Sequence, residues 1–180
     1  MKAVFSRIAL NDLNSTAAIE FAALTGDLIH HPKVQEMNGF GQHLNTTRFQ
    51  HSLNVAYYSF LIAKKLNLDV ESCVRGGLLH DLFLYDWHID QPVEGRHVDV
   101  HPQQALMNAK SITEVSSIME DVIVNHMWPM GAAKPKSKEA WLIQGVDKGC
   151  ALAEFINQSF ALGIKYNLSP MMLGFLIFIK

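Results

Sequence analysis

The chain sets a histidine and an aspartate side by side, His80-Asp81, inside an otherwise apolar run from Gly76 to Leu84. Burying an imidazole and a carboxylate without strong partners costs several kcal/mol. A divalent cation serves both at once, because both groups are good ligands for Fe, Mn, Co, Ni or Zn. The pair therefore reads as the middle of a metal site whose other ligands arrive from distant stretches. His51, His101, His126 and Asp147 are the candidates. Each has a plainer reading when taken alone: a hydrogen-bonded core histidine at 51, a cap at 101, a complement to a helix C-terminus at 126, a buried ion-pair acceptor at 147. Their conjunction with a His-Asp pair is what points to metal.

Side chains so far apart in sequence meet only if rigid elements carry them, and the apolar periodicity is helical with no convincing strand. Ser15 can cap a helix reaching the Gly26 to Ile29 region, and Pro32 opens a short helix through Met37. Asn38-Gly39-Phe40-Gly41 is then a loop leading to His43. From Phe49 to Ala63 no residue is charged, the pattern of a helix buried on every side, and Asn45, Thr46 and Thr47 offer caps at its start. His51 lies near the beginning of that central helix.

Asp69 and Glu71 begin a helix expected to carry the His-Asp pair. Gly76-Gly77 within it permits close approach to the central helix, at about 1 kcal/mol of helix propensity per glycine. Asp86 to Val100 is polar and loop-like, and His101-Pro102 reads as an N-cap followed by proline at the first helical position. Thr113 is expected to cap a helix with Val115, Met119, Val122 and His126 on one face. Met127 to Lys138, with prolines, a glycine and three lysines, is a candidate mobile substrate loop, the plainer alternative being a solvated surface loop. Ser137 then caps a helix whose apolar face is Trp141, Leu142, Gly145, Val146, Cys150 and Ala153, with Asp147 embedded in it.

A length of 180 residues fits one domain, 1–180, with a sizeable core. Charged residues make up 18%, below the roughly 25% typical of soluble chains, so part of the surface is a candidate interface in a homodimer. Net charge is −2 and the basic residues are scattered, which argues against a nucleic acid polymer as partner. Cys73 and Cys150 form no CxxC motif and read as small core residues in a reducing compartment. The N-terminal apolar stretch is broken by Arg7 too early for a signal peptide. The run Met171 to Ile179 is about half the roughly 20 residues of a membrane-spanning helix. A cytoplasmic protein without membrane attachment is the expectation.

The order His51, His80-Asp81, Asp147 resembles the H…HD…D signature of the HD superfamily of metal-dependent phosphohydrolases. His101 and His126 match the two extra histidines of its two-metal subgroup. Arg-x-x-His at Arg48 to His51, Gly-Leu-Leu-His-Asp at Gly77 to Asp81 and His-Pro at His101 also look like that family. The resemblance spans about residues 31–158, is closest to bacterial members, and leaves a separate apolar helix expected over about 169–180. It implies an all-α HD-domain helical bundle and two divalent metal ions, with Fe, Mn, Co, Ni, Zn and Mg all open. His51, His80, Asp81 and Asp147 would hold one, while Asp81 would bridge to a second held by His101 and His126.

The reaction so implied is hydrolysis of a phosphoester of a nucleotide, dinucleotide or small phosphorylated metabolite by a metal-bound hydroxide, with Asp81 at its centre. Arg48 is a candidate partner for a phosphate or for a ligating carboxylate. Lys148 is a weaker candidate, its azimuth being about 100° from Asp147 on a helix. His43 could reach the cavity or lie on the surface, whereas His30, His31, His88 and His97 take structural readings. Two other classes stay open: a di-iron oxygenase using the same six-ligand cage, and a catalytically silent metal-containing binding domain.

Overall fold

The computed structural model describes residues 1–43, 45–87, 89 and 92–166. Among the described residues are seven α-helices: α1 (Thr16–Ile29), α2 (Pro32–Glu36), α3 (Arg48–Leu66), α4 (Val70–Leu79), α5 (His97–Lys110), α6 (Ser117–Asn125) and α7 (Lys138–Tyr166). The architecture is all-α, as expected. A 3-10 turn, Met37–Gly39, follows α2, and the short strands β1 (Gly41–His43) and β2 (Thr46–Thr47) form an antiparallel ribbon just before α3. That ribbon departs from the strand-free expectation. Its pairing turns the chain so that Arg48 N–H reaches the Phe40 carbonyl at 2.9 Å and α3 starts in register.

Local chemistry sets the helix starts. Ser15, Thr47, Asp69, Ser116 and Ser137 each accept from the amide three residues on, satisfying a donor that the first turn leaves free. At the far end of α3, Asn67 adopts the left-handed conformation with φ 51°, and its N–H returns to the Ala63 carbonyl.

α3 is buried on nearly every side because it lies between two apolar clusters. Leu53, Ala56 and Phe60 meet Phe21, Leu78, Leu79, Leu82 and Ile123 on one side. Val55 and Ala63 meet Cys73, Val122, Ile143 and Val146 on the other. The two glycines of α4 serve different neighbours. A Cβ on Gly77 would lie 3.3 Å from the Ala56 Cα of α3, while one on Gly76 would lie 2.8 Å from Val122 Cγ1 of α6. Together they let α4 sit deep between α3 and α6, which brings the helix ends carrying His80 and His126 together, their ring centroids 4.8 Å apart.

Three local expectations are corrected. α5 begins at His97, so His101 is not an N-cap and Pro102 is the sixth helical residue. The missing proline N–H leaves the Val98 carbonyl without its helical donor, and the His101 ring bonds the adjacent His97 carbonyl at 2.8 Å. Second, α6 is capped by Ser116, not Thr113, whose hydroxyl accepts from Arg75. Third, His80 occupies the C-cap of α4 and Asp81 the turn beyond, so the pair leaves the helix end instead of lying within it.

The stretch between α6 and α7 is tethered at several points. Ala132 N–H donates to Asp99, Trp128 O accepts from Gln144, and Asp121 accepts from the amides of Lys136 and Ser137. The expected face of α7 is only partly buried. Ala140, Ile143, Val146 and Cys150 enter the core, while Trp141, Leu142 and Gly145 line an apolar groove with Phe5 and Ile62. No helix among the described residues is long and apolar enough to cross a membrane. The apolar helix expected over 169–180 lies outside the described residues.

Gly76→Ala should lower stability by about 1–3 kcal/mol through overpacking against Val122, and Val122→Ala in the same chain should recover part of it. Thermal unfolding of the two variants checks this, and a neutral Gly76→Ala would refute the close approach. A second expectation concerns Asp121. Burial pushes its carboxyl up, but the Ser137 hydroxyl and amide, Asn125 and the Lys136 amide outweigh that and hold the pKa below the ordinary value. Stabilisation from a depressed acid is present above its unfolded pKa of about 4 and lost as pH falls through the folded value. Asp121→Ala should thus cost about 0.5–1.5 kcal/mol at pH 7, water screening the exposed part of the carboxylate, and the gap from wild type should narrow below about pH 4 in urea titrations.

Candidate metal centre

Four imidazoles meet under the core with their rings oriented by fixed acceptors. His80 Nδ1 lies 2.8 Å from the Gly77 carbonyl, His101 Nδ1 2.8 Å from the His97 carbonyl and His126 Nδ1 2.8 Å from the Ile123 carbonyl. A carbonyl only accepts, so each Nδ1 carries the proton and each Nε2 is directed inward. His51 follows the same logic with a different acceptor. Its Nδ1 lies 3.0 and 3.1 Å from the two oxygens of Glu154, and its Nε2 lies 2.9 Å from Asp147 Oδ1.

The inward nitrogens converge on the two aspartates. His51 Nε2, His80 Nε2 and an Asp147 oxygen form one group, and His80, Asp81 and His126 another, the donor atoms of each lying within 4.8 Å of one another. His101 joins the second group, with Nε2 3.2 Å from Asp81 Oδ1 and 3.1 Å from His126 Nε2. The Asp81 carboxylate divides between them. Oδ2 faces His80 at 3.5 Å, and Oδ1 faces His101 and His126 at 3.2 and 3.4 Å.

Charges are tightly coupled here. Burial alone would lower the His51 pKa, but Asp147 and Glu154 raise it to about 10. His80 is likewise raised against burial, by Asp81 and Asp147. Burial opposes ionisation of Asp81 and Asp147, yet the surrounding histidines hold both well below the ordinary carboxylate range. His126 is pushed down, first by burial and then by its His80 and His101 neighbours.

These residues fit a pair of divalent cations on structural grounds. His80 Nε2 and Asp81 Oδ1 are fully buried and make no hydrogen bond, an arrangement that costs about 1–3 kcal/mol per group unless a further partner is bound. The His101 and His126 lone pairs face each other across 3.1 Å. A proton or cation between them removes that repulsion. Imidazole nitrogen with carboxylate oxygen suits transition metals, with Mg less favoured by so many nitrogens.

Sequence reasoning did not identify Glu154 or His97. Glu154 is buried, accepts from Asn54 Nδ2 at 2.6 Å and sets the His51 tautomer. The signal was its position seven residues after Asp147, on the same face of α7, opposite Asn54 three residues after His51. His97 stacks on His101 at 4.5 Å and is itself covered by Trp87 at 4.7 Å. Its i, i+4 spacing to His101 is present in the sequence, but only a helix that starts at His97 puts the two rings on one face.

Arg48 and Lys148 stand in different places. Arg48 is fully buried, with the Phe83 ring 3.4 Å from its guanidinium carbon. It donates to the Phe83 and Tyr85 carbonyls and to Gln42 Oε1, all on protein acceptors behind the site. Lys148 is at the rim, 37% exposed, with Nζ 3.0 Å from the His126 carbonyl and 3.8 Å from Asp147 Oδ2. His31 caps α2 through Nδ1, in line with its structural reading. The His43 side chain and His88 lie outside the described residues.

A family model, HD domain, matches residues 48–148, more than half of the chain. The chain belongs to the HD domain family. That places it in a superfamily of metal-dependent phosphohydrolases. Similar curated proteins include Ribonuclease Y of Fervidobacterium nodosum, 31% identical over 124 residues, covering 65% of this chain and 21% of the relative. Ribonuclease Y of Pseudothermotoga lettingae is 28% identical over 151 residues, with 74% and 28% covered. The HD domain chain therefore spans only 21–28% of the length of these relatives. No solved structure matches it.

Glu154→Gln tests the role of the acid behind His51. With the charge gone, divalent metal affinity measured by chelator competition should fall by about 10- to 100-fold. Unchanged affinity would leave Glu154 with a packing role alone.

Proposed function

We propose that the chain is a metal-dependent phosphoester hydrolase acting on a nucleotide, dinucleotide or other small phosphorylated molecule. The observation that carries this is the convergence of four inward Nε2 atoms and two carboxylates on one small volume, in which His80 Nε2 and Asp81 Oδ1 are buried without a hydrogen bond. His51, His80, Asp81 and Asp147 would hold one cation, and Asp81, His101 and His126 the other. When bound, such ions polarise phosphoryl oxygens and acidify water.

The remaining work falls to the chain itself. The Nδ1 acceptors keep every ligating ring from rotating. The apolar walls from Phe83 and the stacked His97 and Trp87 exclude bulk water on one side. The open side is at Asp147, whose side chain is 13% exposed against 4% or less for the other ligands. Lys148 stands at that opening and is the group placed to meet an entering phosphate. Burial lowers its pKa, partly offset by Asp147.

The relatives' name, a ribonuclease, brings RNA phosphodiesters among the substrates to test. The scattered basic residues still favour a short ligand over a polymer. Residues 1–180 would form one catalytic domain.

The test is elemental analysis of protein purified without chelator, joined to a panel of a chromogenic phosphodiester, mononucleotides, dinucleotides and short RNA. Bound transition metal and phosphoester cleavage are expected. Asp81→Ala should lose metal and turnover together, whereas Lys148→Ala should keep metal and lose roughly 10- to 100-fold in kcat/KM. Oxygen consumption by the iron form without phosphoester cleavage would replace this reading with a di-iron oxygenase. Tight metabolite binding with no turnover would replace it with a binding domain.

A further inference from the structure

We propose that Gln42 is a positioning residue for the metal centre: clasped from behind by Arg48, its side-chain amide pins Asp81 Oδ2 on the His80 side and so turns Oδ1 toward His101 and His126. The orientation follows from donor and acceptor chemistry. Arg48 only donates, and its Nε lies 3.2 Å from the Gln42 side chain, so the amide oxygen must face Arg48. The amide nitrogen then faces Asp81 and donates to Oδ2 at 2.5 Å. Reversal of the amide would set a nitrogen against a guanidinium and an oxygen against a carboxylate.

Arg48 is itself immobile. It is fully buried, held by the Phe83 and Tyr85 carbonyls, and flanked by the Phe83 and Phe40 rings at 3.4 and 4.8 Å. Those carbonyls belong to the turn that follows His80-Asp81. The guanidinium thus fixes both the backbone beyond Asp81 and, through Gln42, its side chain. The opposite oxygen, Oδ1, is the buried atom that makes no hydrogen bond and faces His101 and His126. Gln42 comes from β1, which accounts for the ribbon placed immediately before α3.

The inference rests on the metal centre proposed above and is tested by metal affinity, not turnover. Gln42→Met keeps the side-chain length and removes both polar atoms. Titration of metal-free protein with Mn²⁺ or Co²⁺ should show binding weakened about 10- to 100-fold, with the metal-free Tm within about 2 °C of wild type. Arg48→Lys should weaken binding comparably, and the double variant should bind no worse than Arg48→Lys alone, because both act along one path. If Arg48→Lys does not fold, Gln42→Met decides alone. Affinity within twofold of wild type overturns the role of Gln42, as does a loss matched by a large fall in the metal-free Tm. Failure of the wild-type chain to bind either ion overturns the centre and the relay together.

Discussion

The structure depends on which nitrogen of each histidine carries the proton. Three rings give Nδ1–H to a main-chain carbonyl and the fourth to Glu154, so four Nε2 atoms point into one small buried volume, that of His51 paired there with Asp147. Such an arrangement is unfavourable as a neutral core, because neither carbonyls nor carboxylates can relieve it from outside. It becomes favourable only when positive charge occupies the middle. In the metal-free chain part of that charge is supplied by protons on His51 and His80, both raised above the ordinary imidazole range once carboxylates outweigh burial. A divalent ion would replace those protons with a stronger partner.

The backbone meets this demand by repeating one device. α4 and α6 are short helices that end on a histidine at the C-cap, and in each the ring bonds the carbonyl three residues earlier. The negative ends of both helices are therefore directed at the centre, where they favour cations. Gly76 permits this pairing, since a side chain there would strike Val122 and push the two helix ends apart. α3 and α7 supply the other half as a matched pair, His51 with Asn54 against Asp147 with Glu154. α5 completes the set with a ring anchored in its second turn.

Much of this was legible in the sequence, for physical reasons. A chargeless run such as Phe49 to Ala63 has only one use in an all-α chain, and helix caps with short polar side chains mark their own positions. Buried polar residues within apolar runs announced His80, Asp81 and Asp147. What escaped were features set by tertiary contacts. His101-Pro102 has the local form of a helix start, and only the upstream packing of His97 on Trp87 and His101 carries α5 backwards past it. Arg48 has the type and place of a phosphate ligand. It is the aromatic pair Phe40 and Phe83, one before and one far after it, that draws the guanidinium inward. The ribbon from Gly41 to Thr47 is too short to leave a periodic trace.

The electrostatic balance of the centre bears on what it can accept. With two dications bound, the charges of Asp81 and Asp147, and of Glu154 behind His51, leave an excess of positive charge under a low-dielectric roof. Lys148 adds to it at the single exposed edge, and Asp147, its nearest acid at 3.8 Å, is already committed to His51. On the function proposed above, an entering group would be anionic, and would bring several oxygens to engage both halves of a site bridged by Asp81. A phosphoester meets both conditions. A neutral substrate would leave the excess uncompensated, and a carboxylate has too few oxygens to meet both metals and the ammonium together.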